Sequence, residues 1–270
     1  IAEDNLQYVY PDRTGASTSS RYSGMTIGKT ELIFLIDRAK DCVYYFKVAD
    51  KNHIHITKRR AFLKMLSILD NIYTTKPLIE EIELAELSSE LQIGYWSYNY
   101  DPSNDCLYIC TSSNSRTAPE GKFLITEIKV DTWKIKQYEI TNTTDKYLRT
   151  EGNWGMFVTE GYLLLRGYDA PYDVYKIQIT NPANVVKLKR TNVTNINGVP
   201  KFVINGRVYY EYSYEQLLIA NLATDEIMPP ETQTLFNSSY TMSVTPVRNE
   251  PLIYFCDYGT WSTSGWYMMC

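Results

Sequence analysis

The chain has 270 residues, of which 44% are hydrophobic and 14% aromatic, and its formal net charge is −4. The high aromatic content and small net charge exclude disorder as the main description, and the length suffices for a large core. An acidic chain offers no broad basic surface for a phosphate backbone, so nucleic acid is not an expected partner. No stretch approaches the roughly 20 apolar residues of a membrane span, so membrane insertion is not expected either.

Tyrosine is unusually frequent, with 24 Tyr against 8 Phe and 5 Trp. A tyrosine joins a broad apolar ring to a polar hydroxyl, and this residue type is enriched where proteins contact their partners. The surplus therefore indicates a binding surface in addition to a packed core.

The first group of strand-like runs covers residues 31–90, and an isolated strand-like run at residues 6–10 precedes it. Apolar residues at helical spacing predict a short helical insertion near residues 60–75. The residues at that spacing are Phe62, Met65, Leu66 and Leu69. The glutamate-rich segment 77–87 that follows is either a displaced fourth strand or a second helix.

A second group, residues 93–142, repeats part of the first. Residues 35–44 align with residues 99–108, and both consist of an apolar strand, an Asp-x-x-x-Asp turn, a cysteine and another apolar strand. Internal similarity of this kind is the sequence signature of a repeat architecture.

The third and fourth groups cover residues 154–191 and 200–231. Glu160-Gly161 and Asn205-Gly206 each separate two apolar runs, and Asn-Gly is the strongest short hairpin signal because a type I′ turn needs positive φ twice. The last strand of the third group, residues 185–190, carries three cations that would protect an exposed sheet edge from mispairing. These cations are Lys187, Lys189 and Arg190.

The fifth group, residues 242–270, has three strand-like runs and no fourth. We expect the N-terminal run at residues 6–10 to complete this last sheet. The alternative is that the chain was cut after Cys270 and that the missing strand lies downstream.

Groups of about 32 to 50 residues with four strands each are typical of β-propeller blades. The predicted fold is therefore all-β, a single propeller domain over residues 1–270. Five blades fit best, and six are the alternative.

The five cysteines and two histidines do not indicate a disulfide framework or a metal centre. Cys106 and Cys110 lie on one face of a strand about two pleats apart, and we interpret them as small core residues. His53 and His55 would project from one face of a strand, but without a third ligand we interpret them as an outward polar face. No metal and no cofactor are expected.

Four aspartates at strand ends are the candidates for acid–base chemistry: Asp101, Asp105, Asp173 and Asp257. Aspartate at such positions usually bonds to nearby backbone in a turn, so we assign no catalytic residue. A propeller glycoside hydrolase or lyase, which would need paired carboxylates, is kept as the alternative to a binding protein.

The loops between second and third strands all lie at one end of the predicted propeller and are rich in aromatic and small polar residues. This composition is typical of binding surfaces. The candidate ligand-binding residues are Tyr168, Tyr172, Tyr214, Tyr258 and Trp261. The alternative for each ring is packing between blades.

Three features together resemble the propeller-like domains of bacteriophage and prophage tail proteins from gut bacteria. These are the Tyr-rich irregular units, the Asp-x-x-x-Asp-Cys turns and the terminal run Ser264-Gly265-Trp266-Tyr267-Met268-Met269-Cys270. None is a defined motif, so no functional residue is carried over.

The resemblance implies a tail-fibre or receptor-binding module that attaches to a host-surface glycan or protein. Such modules are commonly homotrimers that assemble with other structural subunits, and they are located on the virion or at a cell surface. A bacterial surface scaffold domain is a further alternative.

Overall fold

The computed structural model describes residues 32–60, 78–91, 95–112, 121–142, 156–167, 172–194, 196, 199–213, 216–231, 243–257 and 265–269. Every regular element in these ranges is a β-strand, and the strands form five sheets. Sheet 1 contains β1 (Leu32–Asp37), β2 (Cys42–Val48), β3 (Ile54–Arg60) and β4 (Leu78–Leu84). Sheet 2 contains β5 (Tyr95–Asp101), β6 (Cys106–Ser112), β7 (Gly121–Lys129) and β8 (Ile135–Asn142).

Sheet 3 contains β9 (Met156–Thr159), β10 (Tyr162–Arg166), β11 (Val174–Gln178) and β12 (Val185–Lys187). Sheet 4 contains β13 (Lys189–Arg190), β14 (Val199–Ile204), β15 (Arg207–Ser213), β16 (Gln216–Asn221) and β17 (Glu226–Glu231). Sheet 5 contains β18 (Ser243–Pro246), β19 (Ile253–Asp257) and β20 (Gly265–Met269).

Apart from β13, each strand pairs antiparallel with the next strand of its sheet, which is the arrangement of a propeller blade. The predicted all-β fold of four-stranded blade units is thereby confirmed. Segment 77–87 contains strand β4, which confirms the prediction of a displaced fourth strand. The alternative prediction, a second helix in this segment, is wrong. Arg60 ends β3, while the rest of the predicted helical insertion, like the run at residues 6–10, lies outside the described residues.

The two glycine turns have the predicted backbone. The φ angles are 52° and 77° at Glu160-Gly161, and 50° and 70° at Asn205-Gly206. Positive φ at both central positions is the requirement of a type I′ turn, and the strands on each side pair directly.

The chain divides into two compact units, one with sheets 1 and 5 and the other with sheets 2, 3 and 4. In the first unit, β1 and β18 adjoin through a parallel bridge between Ile36 and Val247, and the Arg248 N–H donates to the Ile36 carbonyl at 2.8 Å. The last sheet therefore lies beside the first. The single-domain arrangement stays a prediction.

In the second unit, side chains of β5 bond to the main chain of β9. The Ser97 hydroxyl donates to the Met156 carbonyl at 2.9 Å, and Asn99 both donates to the Val158 carbonyl (2.7 Å) and accepts from its N–H (3.0 Å). Because these residues alternate along the strand, they lie on one face. These hydrogen bonds join sheet 2 to sheet 3, although no described strand of one sheet pairs with a strand of the other.

Three cysteines whose side chains are described lie in the core, and for Cys106 and Cys110 this confirms the prediction. Cys42, Cys106 and Cys110 are at most 2% exposed, and the latter two belong to an apolar cluster between sheets 2 and 3. Burial raises the pKa of both Cys106 and Cys110 to about 12. These thiols are accordingly packing residues and poor nucleophiles.

The predicted strand over residues 185–190 is in fact two strands in two sheets. β12 pairs with β11 in sheet 3, whereas β13 pairs in parallel with β17 in sheet 4. Between them Leu188 is buried, 1% exposed, in the apolar cluster of sheets 3 and 4. The prediction that all three cations protect the edge of one sheet is therefore wrong, because Lys189 and Arg190 belong to the next sheet.

Candidate functional site

The described part of the predicted ligand-binding face is the end of sheet 3 at which β10 finishes and β11 begins. Tyr172 lies there, two residues before β11. The other four candidates lie outside the described residues, so their role stays a prediction. These are Tyr168, Tyr214, Tyr258 and Trp261.

The Tyr172 ring is held in place on two sides. It is half-buried against the apolar cluster of sheets 3 and 4, and the Cζ atom of Arg166 lies 5.2 Å from the ring centroid. Arg166 ends β10 and is only 4% exposed, so this cation–π contact is largely removed from water. The ring therefore packs at a sheet boundary and keeps part of its surface accessible, and its role in ligand binding stays a prediction.

Asp173, the next residue, gathers two cations from the segment that leaves sheet 3. The Lys187 Nζ atom lies 2.5 Å from Oδ2, and the Arg190 Nε atom lies 3.1 Å from Oδ1 without aligned hydrogen-bond geometry. The Asp173 side chain is 13% exposed, whereas Lys187 is 54% and Arg190 26% exposed. The cations therefore cover the carboxylate.

These cations line an open groove along the segment that joins β12 to β13. The lining residues are Lys187, Leu188, Lys189, Arg190, Thr191 and Val193. Backbone bonds fix the floor of the groove: the Lys189 N–H donates to the Asp225 carbonyl (2.8 Å) and the Thr191 N–H to the Ile227 carbonyl (3.0 Å). Val193 packs against the same apolar cluster as Tyr172.

A buried hydroxyl belongs to the same region. Tyr210 on β15 is fully buried in the cluster against which Tyr172 packs, and its hydroxyl has no hydrogen-bond partner among the described residues. Burial raises the pKa of Tyr210, and the positive charge of Arg166 partly opposes this increase. Burying a hydroxyl without a partner is unfavourable.

The aspartates considered for acid–base chemistry make structural contacts. Asp101 is fully buried and accepts from the Ser103 hydroxyl (2.8 Å), the Thr159 hydroxyl (3.1 Å) and the Glu160 N–H (3.0 Å). Asp105 accepts from the Tyr100 hydroxyl at 2.8 Å. With the ion pairs of Asp173, each of these three carboxylates therefore has a structural partner. The Asp257 side chain lies outside the described ones.

The two histidines bind separate carboxylates. His53 Nδ1 lies 2.5 Å from Asp50 Oδ2, and His55 Nε2 lies 2.7 Å from Glu81 Oε1. The Asn52 N–H and His53 bond to Asp50 and lower the pKa of its carboxyl. Within the described ranges, no group of three His, Cys, Asp or Glu side chains could hold a metal ion.

The groove is the feature that sequence reasoning missed. Its signal was present in the run from Lys187 to Arg190, but a basic run at a strand end is compatible with simple edge protection. A groove differs from simple edge protection because Asp173 lies beside these cations, although it is 14 residues from Lys187 in the sequence. The pairing of β11 with β12 brings the two residues together.

Comparisons with known proteins give no family assignment. No family model matches the chain, and no curated protein is similar to it. Among solved structures, the chain is similar to Myxococcus xanthus glutaminyl cyclase, with 11% identity, a TM-score of 0.42 and coverage of 92% of this chain and 93% of that one. U3-55K gives 7% identity, a TM-score of 0.35 and coverage of 88% and 76%. Likeness of this degree supports no argument about activity.

No helix among the described residues is long and apolar enough to cross a membrane.

Proposed function

We propose that the chain is a recognition module that binds a surface glycan or protein at the end of sheet 3. The observation that carries the proposal is the Tyr172 ring, fixed on Arg166 and partly accessible, beside a groove that both polar and apolar residues line. A preordered ring loses little conformational entropy on binding, and this arrangement is typical of binding faces.

Attachment to a host by a phage tail or receptor-binding component is the biological setting that we propose. It rests on the sequence resemblance. A virion or cell-surface location, a homotrimer and other structural subunits as partners belong to the same proposal.

The experiment measures retention of the chain on immobilised host-surface polysaccharides, together with release of reducing ends. We expect retention without cleavage. Tyr172→Asn tests the ring, because asparagine tolerates the φ of 56° at this position better than most residues other than glycine do. We expect retention to fall at least tenfold for Tyr172→Asn and less than threefold for Tyr172→Phe, which keeps the ring.

Equal retention of the wild-type protein and Tyr172→Asn, with both unfolding at the same temperature, would contradict a role for this ring. Release of reducing ends that one Asp or Glu substitution abolishes would instead support a propeller glycoside hydrolase or lyase. Absence of retention on every polysaccharide would favour a protein ligand or a scaffold role.

A further inference from the structure

We infer that the groove between β12 and β13 binds an acidic glycan, a polysaccharide that carries carboxylate or sulfate groups. This inference rests on the proposed function and adds to it the charge class of the ligand.

The first support is the local charge. The whole chain has a formal charge of −4, yet the groove segment has three cations within four residues, Lys187, Lys189 and Arg190. Asp173 balances one of these charges, and its carboxylate is covered by Lys187 and Arg190. A positive groove on an acidic protein concentrates anions locally.

The second support is that the cations are already positioned. Asp173 holds Lys187 and Arg190, and the Arg190 Nη1 atom also donates to the Thr194 carbonyl at 2.6 Å. Such partly exposed pairs contribute little to stability, so their main effect is on side-chain position. These contacts involve Nε and Nη1, so the guanidinium, which has five N–H groups, keeps further donors for a carboxylate or sulfate.

The third support is Lys189, which is exposed and makes no ion pair with any described residue. Its neighbour in the parallel pairing is Glu226, with which it forms no salt bridge. The adjacent Asp225 is bound to Lys176, which is 9% exposed, and so does not neutralise the groove. Lys189 is therefore the charge most available to a ligand.

The test compares retention on four matrices: dextran sulfate, polygalacturonate, uncharged dextran and polyglutamate. We expect retention on at least one acidic polysaccharide to exceed retention on dextran tenfold and to fall as NaCl rises, because exposed charges are screened. Dextran and dextran sulfate share one backbone, so they isolate the effect of charge.

Lys189→Glu and Lys134→Glu form a matched pair of variants. Both lysines are exposed residues of the second unit, and each substitution changes the net charge equally, but Lys134 lies in the turn between β7 and β8. We expect Lys189→Glu to reduce retention on the acidic polysaccharide at least tenfold and Lys134→Glu less than twofold. Similar effects of the two variants would show a general charge effect and overturn the inference.

Retention on neutral glycans alone would overturn the acidic ligand and leave the proposed recognition function intact. Preferential retention on polyglutamate would overturn it in favour of an acidic protein ligand. No retention on any of the four matrices or on the host panel would count against both the inference and a glycan-binding function.

Discussion

The two copies of the Asp-x-x-x-Asp-Cys turn have the same local structure. In sheet 1 Asp37 pairs with Cys42, and in sheet 2 Asp101 pairs with Cys106. The second aspartate has a φ of 50° in the first copy and 55° in the second. The agreement shows that the turn is determined by residues within it.

The first aspartate of each copy, however, has a different partner outside the turn. Asp37 accepts from the Lys40 N–H at 2.9 Å and forms a buried ion pair, at 3.2 Å, with Arg248 in the turn between β18 and β19 of sheet 5. Asp101 bonds to neutral groups, the hydroxyl of Thr159 and the N–H of Glu160, in sheet 3. The same turn thus joins neighbouring sheets by a charge pair in one unit and by a hydrogen-bond network in the other.

Removing the carboxylate of Asp101 should have the largest effect on stability. Asp101→Ala removes the acceptor of the buried Thr159 hydroxyl and of part-buried donors on Ser103 and Glu160, and a buried donor left without an acceptor costs about 1–3 kcal/mol. We expect the free energy of unfolding to fall by about 4 kcal/mol in urea titrations. Asp101→Asn keeps one acceptor oxygen, so its free energy of unfolding should lie between those of Asp101→Ala and the wild-type protein. A loss under about 1 kcal/mol for Asp101→Ala would show that other groups can replace the network.

The charge pair of sheet 1 should respond differently. Arg248→Met leaves the Asp37 carboxylate, 4% exposed, without its cation, and we expect a loss of about 3 kcal/mol. Asp37→Asn in the same chain should restore part of the loss, because the buried charge is gone while the oxygen still accepts from Lys40. Strictly additive losses in this double-mutant cycle would show that the two side chains are not coupled.

The smallest difference between the two copies concerns the tyrosine two residues after each cysteine, Tyr44 in sheet 1 and Tyr108 in sheet 2. The Tyr108 hydroxyl donates to Glu127 at 2.9 Å, whereas the Tyr44 ring has the Lys58 ammonium 5.4 Å from its centroid. Phenylalanine loses the bond to a carboxylate at Tyr108, whereas at Tyr44 it keeps the ring contact and loses only the weaker hydrogen bond between the hydroxyl and the Cys42 thiol. We expect a loss of about 1.5 kcal/mol for Tyr108→Phe and about 0.5 kcal/mol for Tyr44→Phe in thermal unfolding; a larger loss for Tyr44→Phe would contradict this assignment.

Local features of this fold could be predicted from the sequence, and features that depend on distant partners could not. The turns at Gly161 and Gly206 follow from a backbone requirement that two adjacent residues satisfy. The division of residues 185–190 at Leu188 depends instead on β17, some 35 residues further along the chain. The pattern of residues 185–190 alone therefore cannot show that β13 pairs with β17.

The candidate site divides in the same way. Tyr172 could be selected from its type and its place after a second strand, because aromatic residues in such loops are typical of binding surfaces. Its support by Arg166 and the cover that Lys187 places over Asp173 are side-chain contacts between strands. They become visible only when the register of those strands is known.

The change of sheet at Leu188 bears on how this chain can evolve. Repeat proteins usually gain and lose units by duplication or deletion of one repeat. Here sheet 4 receives two residues from the segment that completes sheet 3, so excising sheet 3 would leave the carbonyls of Asp225 and Ile227 without donors. Excising sheet 4 would instead leave the N–H groups of Lys189 and Thr191 without acceptors. Sheets 3 and 4, residues 156–231, are accordingly expected to be inherited and exchanged as one cassette.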